Sequence, residues 1–148
     1  MLIVRGIERG EVAAAVAIIN EGTLSLGAEH PELEDEYWAA VGEVRDRRGD
    51  VLVALDDGAV VGVCQVIVFR HFQHTGGWCA ELESVYVRAD RRGQRIGAAI
   101  LEVAENLARA AGCYRVQLTS RNVRVDAHRF YVAHGYQQAA QGFRKSLL

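Results

Sequence analysis

The chain has one proline, Pro31, and three cysteines in 148 residues. Cys64, Cys79 and Cys113 are odd in number, far apart and without C-x-x-C spacing, so they form no disulfide framework. They read as reduced, mostly buried thiols of a cytoplasmic protein, with a cysteine nucleophile as the minor alternative. No apolar run reaches the roughly 18 residues of a membrane span, and Met1 to Gly10 carries no signal-peptide core. The net charge of −2 and the pI of about 6.2 exclude a general basic field for nucleic acid. His71, His74, His128 and His134 follow no zinc spacing, so no metal is expected. Repeats, low-complexity segments and linkers are also missing, which leaves one domain over residues 1–148.

Against that acidic background stands a local basic cluster. Arg88, Arg91, Arg92 and Arg95 crowd eight positions. Before them, Leu82 to Val87 is short and rich in β-formers. After them, Ile96, Ile100, Val103, Leu107 and Ala111 recur at helical spacing, and Gly112 stands where a C-cap belongs. A strand therefore feeds a basic turn, and the turn opens a helix. Free N–H groups and the positive end of the dipole favour an anion at such a start.

The rest of the chain surrounds that unit. Leu2 to Val4 is a short strand, and Glu8 to Asn20 is a helix with Val12, Val16 and Ile19 on one face. Glu32 to Arg47 is a second amphipathic helix carrying Tyr37, Trp38, Val41 and Val44. The polar connection between them offers Glu21, Ser25, Glu29 and His30 as candidate substrate contacts. Val51 to Leu55 and Val60 to Phe69 are strands joined by the turn Asp56-Asp57-Gly58, in which Asp57-Gly58 is a hairpin pair. His71 to Gly77 is a polar connection and Trp78 to Val87 the next strand. Arg115 to Thr119 is a further strand, Asp126 to His134 a short helix stopped by Gly135, and Tyr136 to Leu148 holds two closing strands.

Arg92-Gly93-Gln94-Arg95-Ile96-Gly97 resembles the [Q/R]-x-x-G-x-[G/A] motif that binds acetyl-CoA in the GCN5-related N-acetyltransferases (GNAT), with Arg95 in place of the middle glycine. Ala127, Phe130, Tyr131, Gly135 and Tyr136 resemble the same family's A-x-x-F-Y-x-x-x-G-[F/Y]. The stretch from Leu118 to Tyr131 and the ending G-F-R-K-S-L-L are most similar to a small-molecule branch that includes bacterial aminoalkylphosphonate acetyltransferases. The resemblance implies an α/β (α+β) GNAT fold: one mixed, mostly antiparallel sheet of about seven strands with about four helices. It implies acetyl-CoA as co-substrate, a small-molecule amine as acceptor, and direct transfer in a ternary complex. A homodimer is compatible with it. A non-catalytic acyl-CoA sensor and a protein acetyltransferase are the alternative readings. Arg124 stands where the family often has an asparagine.

The cofactor would be anchored by the backbone of Gln94, Arg95, Ile96, Gly97 and Ala98, with Arg92 at the head of the motif. Gly93 and Gly97 lack Cβ and so permit close approach. Arg95 can serve if its φ is negative and its side chain points outward, where it could pair with a phosphate. By resemblance, the backbones of Val85, Tyr86 and Val87 receive the cofactor's amides and thioester carbonyl. A lysine-like amine is neutral in only about one molecule in 10³ at pH 7, so a carboxylate must take its proton. Glu81 and Glu83 share one face of their strand, and Glu81 lies where the family's glutamate base commonly sits. Tyr131 occupies the family's general-acid position. His74 and Trp78 are candidate substrate-side residues.

Overall fold

The structure is a computed structural model that describes residues 1–23 and 28–148. Ser25 lies outside the described residues. Strand β1 (Leu2–Gly6) leads through a 3-10 turn into helix α1 (Val12–Gly22), followed by α2 (Glu34–Asp46). Then come β2 (Asp50–Asp56), β3 (Ala59–Arg70), the one-turn α3 (Gln73–Gly76) and β4 (Trp78–Val87). A 3-10 turn (Ala89–Arg91) precedes α4 (Ile96–Ala110), β5 (Cys113–Leu118) and α5 (Val125–Ala133). The chain divides into two compact units, residues 1–117 and residues 118–148.

One five-stranded sheet runs in the order β1-β2-β3-β4-β5, and β1–β2, β2–β3 and β3–β4 pair antiparallel. Alternation along β2 and β3 sends side chains to two covered faces. Val53, Leu55 and Val63 pack with Ile7, Val12, Ala15, Val16, Ile18 and Val41 of the α1–α2 layer. In α4 the helical period buries Ile96, Ile100, Leu101, Ala104 and Ala108 on one stripe. A fully buried leucine such as Leu101 contributes about 1.5–3 kcal/mol of burial free energy. β3, covered on both sides, holds Val61, Gly62, Val63, Cys64, Val66 and Val68 out of solvent, as its largely apolar run predicts.

Two expectations need correction. The sheet has five strands, because residues 136–148 form none among the described residues. The segment Gln137 to Gly142 is made of glutamine, alanine and glycine, residues with little to offer a pleated, half-buried surface. Phe143 and Leu147 there are 92% and 91% exposed. The connection from His71 to Gly77 is not a plain loop but contains α3, with His74 and Thr75 both at φ 56°.

In the second unit, α5 is short and closes on Gly135 at φ 90°. The Tyr136 N–H then donates to the Tyr131 carbonyl at 3.0 Å, and the Tyr131 and Tyr136 rings meet edge to face at 5.7 Å.

Candidate active site

The register of β4 against β3 breaks once. Glu83 faces Gln65 and Tyr86 faces Val63, so Ser84 and Val85 together oppose Cys64. This is a β-bulge, which lifts its extra residue out of the ladder and bends the strand. Ser84 takes φ 53°, a left-handed conformation more often given to glycine. The bulge falls beside the backbone of Val85, Tyr86 and Val87. All three are half-buried, and Tyr86 also packs against the α1–α2 core. A cavity of about 130 Å³ lies between α1, α2 and the sheet. Its walls are mostly apolar, with Gln65, Ser84 and Tyr37 as polar members.

Beyond β4 the turn is fastened by three carboxylates. Asp56 pairs with Arg91, and Arg91 also donates to the Gln94 side chain at 2.8 Å. Asp90 takes Arg88 through two hydrogen bonds, 2.6 and 3.1 Å. Glu21, at the end of α1, accepts the Ala89 N–H at 2.5 Å. The Arg91 and Arg88 guanidiniums hold the Asp56 and Asp90 carboxyls below the usual range. Among the described residues, no carboxylate pairs with Arg92 or Arg95. Arg92 donates from Nε to the Val87 carbonyl at 3.3 Å, which leaves its terminal nitrogens unused by that bond.

Gly93 lies at φ 79° and Arg95 at φ 64°, ψ 15°. Arg95 therefore does not take the negative φ on which its phosphate role was made conditional: the arginine adopts the left-handed conformation that a glycine takes without a Cβ penalty. The physical reason is the sharp entry into α4, whose first residue, Ile96, is buried at once against the sheet. Arg95 makes no side-chain cap, so the N–H groups opening α4 at Ile96, Gly97 and Ala98 have no capping side chain. Gln94 and Arg95 are exposed; Gly97 and Ala98 are half-buried.

Glu81 pairs with Ile67 and Glu83 with Gln65, so both carboxylates stand on one face, as alternation predicts. Glu81 is half-buried and Glu83 exposed. Tyr131 is half-buried on α5 in the second unit. Cys64 is no nucleophile, since burial pushes its thiol up to about 12, with Glu83 adding to the shift.

The substrate-side candidates separate. Glu21 is bound to Ala89 rather than free for an acceptor. Glu29 accepts the Tyr37 hydroxyl at 2.7 Å, and Tyr37 accepts the His30 N–H at 2.8 Å. Trp78 is packed by the guanidiniums of Arg48 and Arg70, 4.6 and 5.5 Å from its ring. His71 Nδ1 lies 2.6 Å from the Tyr114 hydroxyl, and the His74 ring lies 4.9 Å from that of Tyr114. Sequence reasoning missed Asp56, which read as a simple turn residue, and the bulge at Ser84, for which a serine gives no signal.

The sequence profile of the acetyltransferase (GNAT) family matches residues 14–136, and the chain belongs to that family. An aminoalkylphosphonate N-acetyltransferase of Salmonella typhimurium is 39% identical over 95 residues, 64% of this chain and 61% of that protein. The match thus spans about three-fifths of the relative's length. A crystal structure of a transcriptional regulator from Bacillus halodurans is similar at a TM-score of 0.91 and 27% identity, covering 99% of this chain and 100% of that one. Glucosamine-6-phosphate N-acetyltransferase from Arabidopsis thaliana shares the fold at a TM-score of 0.84 and 19% identity, with 99% of each chain covered.

Proposed function

We propose that the chain is an acyltransferase that moves an acetyl group from acetyl-CoA to the primary amine of a small molecule, directly and in a ternary complex. The observation that carries this reading is the joined unit of bulged β4, pinned basic turn and uncapped α4 start in a member of the GNAT family. Donors at a helix start suit a pyrophosphate, and of the turn's four arginines Arg92 and Arg95 pair with no carboxylate among the described residues. The backbones of Val85, Tyr86 and Val87, beside the bulge, receive the pantetheine amides and the thioester carbonyl. The family profile runs across both compact units, which supports reading residues 1–148 as one N-acetyltransferase domain. The Salmonella relative supports a small-molecule amine as acceptor. No described helix is long and apolar enough to cross a membrane; a cytoplasmic site of action is part of the proposal.

In the reaction the amine nitrogen attacks the thioester carbon and the carbon–sulfur bond breaks. Glu81 takes the amine proton, directly or through water. Tyr131, the general acid that the motif's resemblance implies, gives a proton to the departing thiolate. Glu83, more exposed on the same face, is the second candidate base.

The test is a screen of small amines with acetyl-CoA, read by release of CoA thiol, followed by Glu81→Gln on the best acceptor. If Glu81 is the sole base, kcat at neutral pH falls by about 10²–10⁴, and the deficit narrows as pH rises and neutral amine accumulates. An unchanged pH–rate profile removes Glu81 from the mechanism. Tight CoA binding without turnover on any amine makes the chain an acyl-CoA sensor instead.

A further inference from the structure

The end of α1 is fastened to the turn before α4 through Glu21, a residue the sequence offers as a candidate substrate contact. Glu21 Oε1 accepts the Ala89 N–H at 2.5 Å, across 68 positions of chain. The same carboxylate acts on the neighbouring Arg88 guanidinium, after Asp90. Beside it, Gly22 lies so close against Tyr86 that a Cβ there would collide with the tyrosine ring. The last turn of α1 therefore touches the end of β4 through Gly22 and the first residue of the 3-10 turn through Glu21.

We infer that Glu21 is a positioning residue for the cofactor: its carboxylate holds the Ala89–Arg91 turn in the geometry that presents the start of α4 to the pyrophosphate. The inference rests on the CoA reading proposed above. The Ala89 N–H already has a partner and is spent on shaping the turn rather than on the ligand. Arg88 and Arg91 are held by Asp90 and Asp56 on either side of that bond, and Glu21 grips the turn's backbone from a distant element. A turn ordered before the ligand arrives spares the ligand the entropy of ordering it. Loss of Glu21 then weakens CoA binding in ground state and transition state alike, which raises KM and leaves kcat in place.

The experiment measures CoA affinity of the full chain by calorimetry, with initial-rate kinetics beside it. In Glu21→Ala the CoA dissociation constant rises about tenfold, the worth of one charge-assisted hydrogen bond, and KM for acetyl-CoA rises with it. The kcat stays within about twofold. Glu21→Gln keeps an oxygen acceptor and restores most of the affinity. Ala89→Pro removes the donor at a position whose φ a proline tolerates near a helix start. It reproduces the loss, and combining it with Glu21→Ala adds nothing further. Wild-type affinity in Glu21→Ala overturns the inference, as does a Glu21→Gln variant impaired as badly as Glu21→Ala. A wild type that binds CoA but acetylates no amine refutes the proposed activity, and the affinity comparison still decides the role of Glu21. A wild type that binds no CoA refutes the site and the inference together.

Discussion

Two of the junctions that take left-handed backbone are built differently. The β2–β3 hairpin turns on Asp57 at φ 47° and Gly58 at φ 84°. The start of α4 turns on Gly93 at φ 79° and Arg95 at φ 64°. Asp tolerates this region by bonding its own backbone, and Gly enters it freely. Arg has neither advantage, and the conformation costs about 1–2 kcal/mol for a residue with a Cβ. The hairpin thus meets its geometric need with residues that need nothing more. The α4 junction keeps a strained residue whose guanidinium, among the described residues, meets no carboxylate. Strain held by surrounding structure is consistent with a working site. On the reading proposed above, turn chemistry at the hairpin serves the fold, while at α4 it would serve a ligand at some expense to the fold.

The largest expected effect separates the two junctions outright. Gly97→Trp sets an indole at the second residue of α4 and should abolish CoA binding, with the far-ultraviolet dichroism of the wild type retained. Calorimetry that finds unchanged affinity would remove the phosphate site from α4. Next, Arg95→Gly should move stability and binding in opposite directions. Relief of the left-handed strain, less the entropy glycine loses, stabilises by roughly 0.5–1 kcal/mol, seen as a raised denaturation midpoint. Loss of the guanidinium weakens CoA by about tenfold, as one charged hydrogen bond would. If both quantities rise together, Arg95 is not a phosphate ligand. Gly58→Ala is the converse: about 1 kcal/mol less stable, with CoA affinity unchanged.

The smallest effect concerns pH. Arg91, and after it the N-terminal amine, hold the Asp56 carboxyl below its ordinary value. A depressed folded-state pKa gives stability that is complete above the unfolded pKa of about 3.9 and is lost as pH falls through the folded value. Asp56→Asn should therefore flatten the acid limb of the stability curve below about pH 4. Asp90 and Glu11, also lowered by arginine partners, keep part of the slope. Identical acid limbs in the two proteins would show that the Asp56–Arg91 pair carries no weight.

Much of this was readable before any coordinates. The hairpin pair Asp57-Gly58, the apolar run of β3, the stripe of α4 and the stop at Gly112 each follow from one local rule of period or turn chemistry. The shared face of Glu81 and Glu83 follows from alternation, because the bulge comes only after Glu83. What escaped the sequence has one common cause: it depends on partners distant in the chain. Asp56 finds Arg91 across 35 positions, and Glu21 finds Ala89 across 68. Nothing local in A-E-L-E-S-V-Y-V says that Ser84 leaves the ladder. The sequence left the conformation of Arg95 open, and the left-handed φ it takes is set by the helix entry. The two closing strands expected over Tyr136 to Leu148 do not form, and the residues between Gln137 and Gly142 lack the β-formers to make them.

The cysteines give the sheet its own clock. Cys64 and Cys79 are wholly buried on β3 and β4, while Cys113 on β5 is only partly covered. A thiol reagent can reach the first two only when those strands part, and burial holds the Cys64 sulfur in its unreactive protonated form until then. The spacing in time between modification of Cys113 and that of the inner pair therefore measures how often the middle of the sheet opens. Ligand that clamps β4 should lengthen that interval.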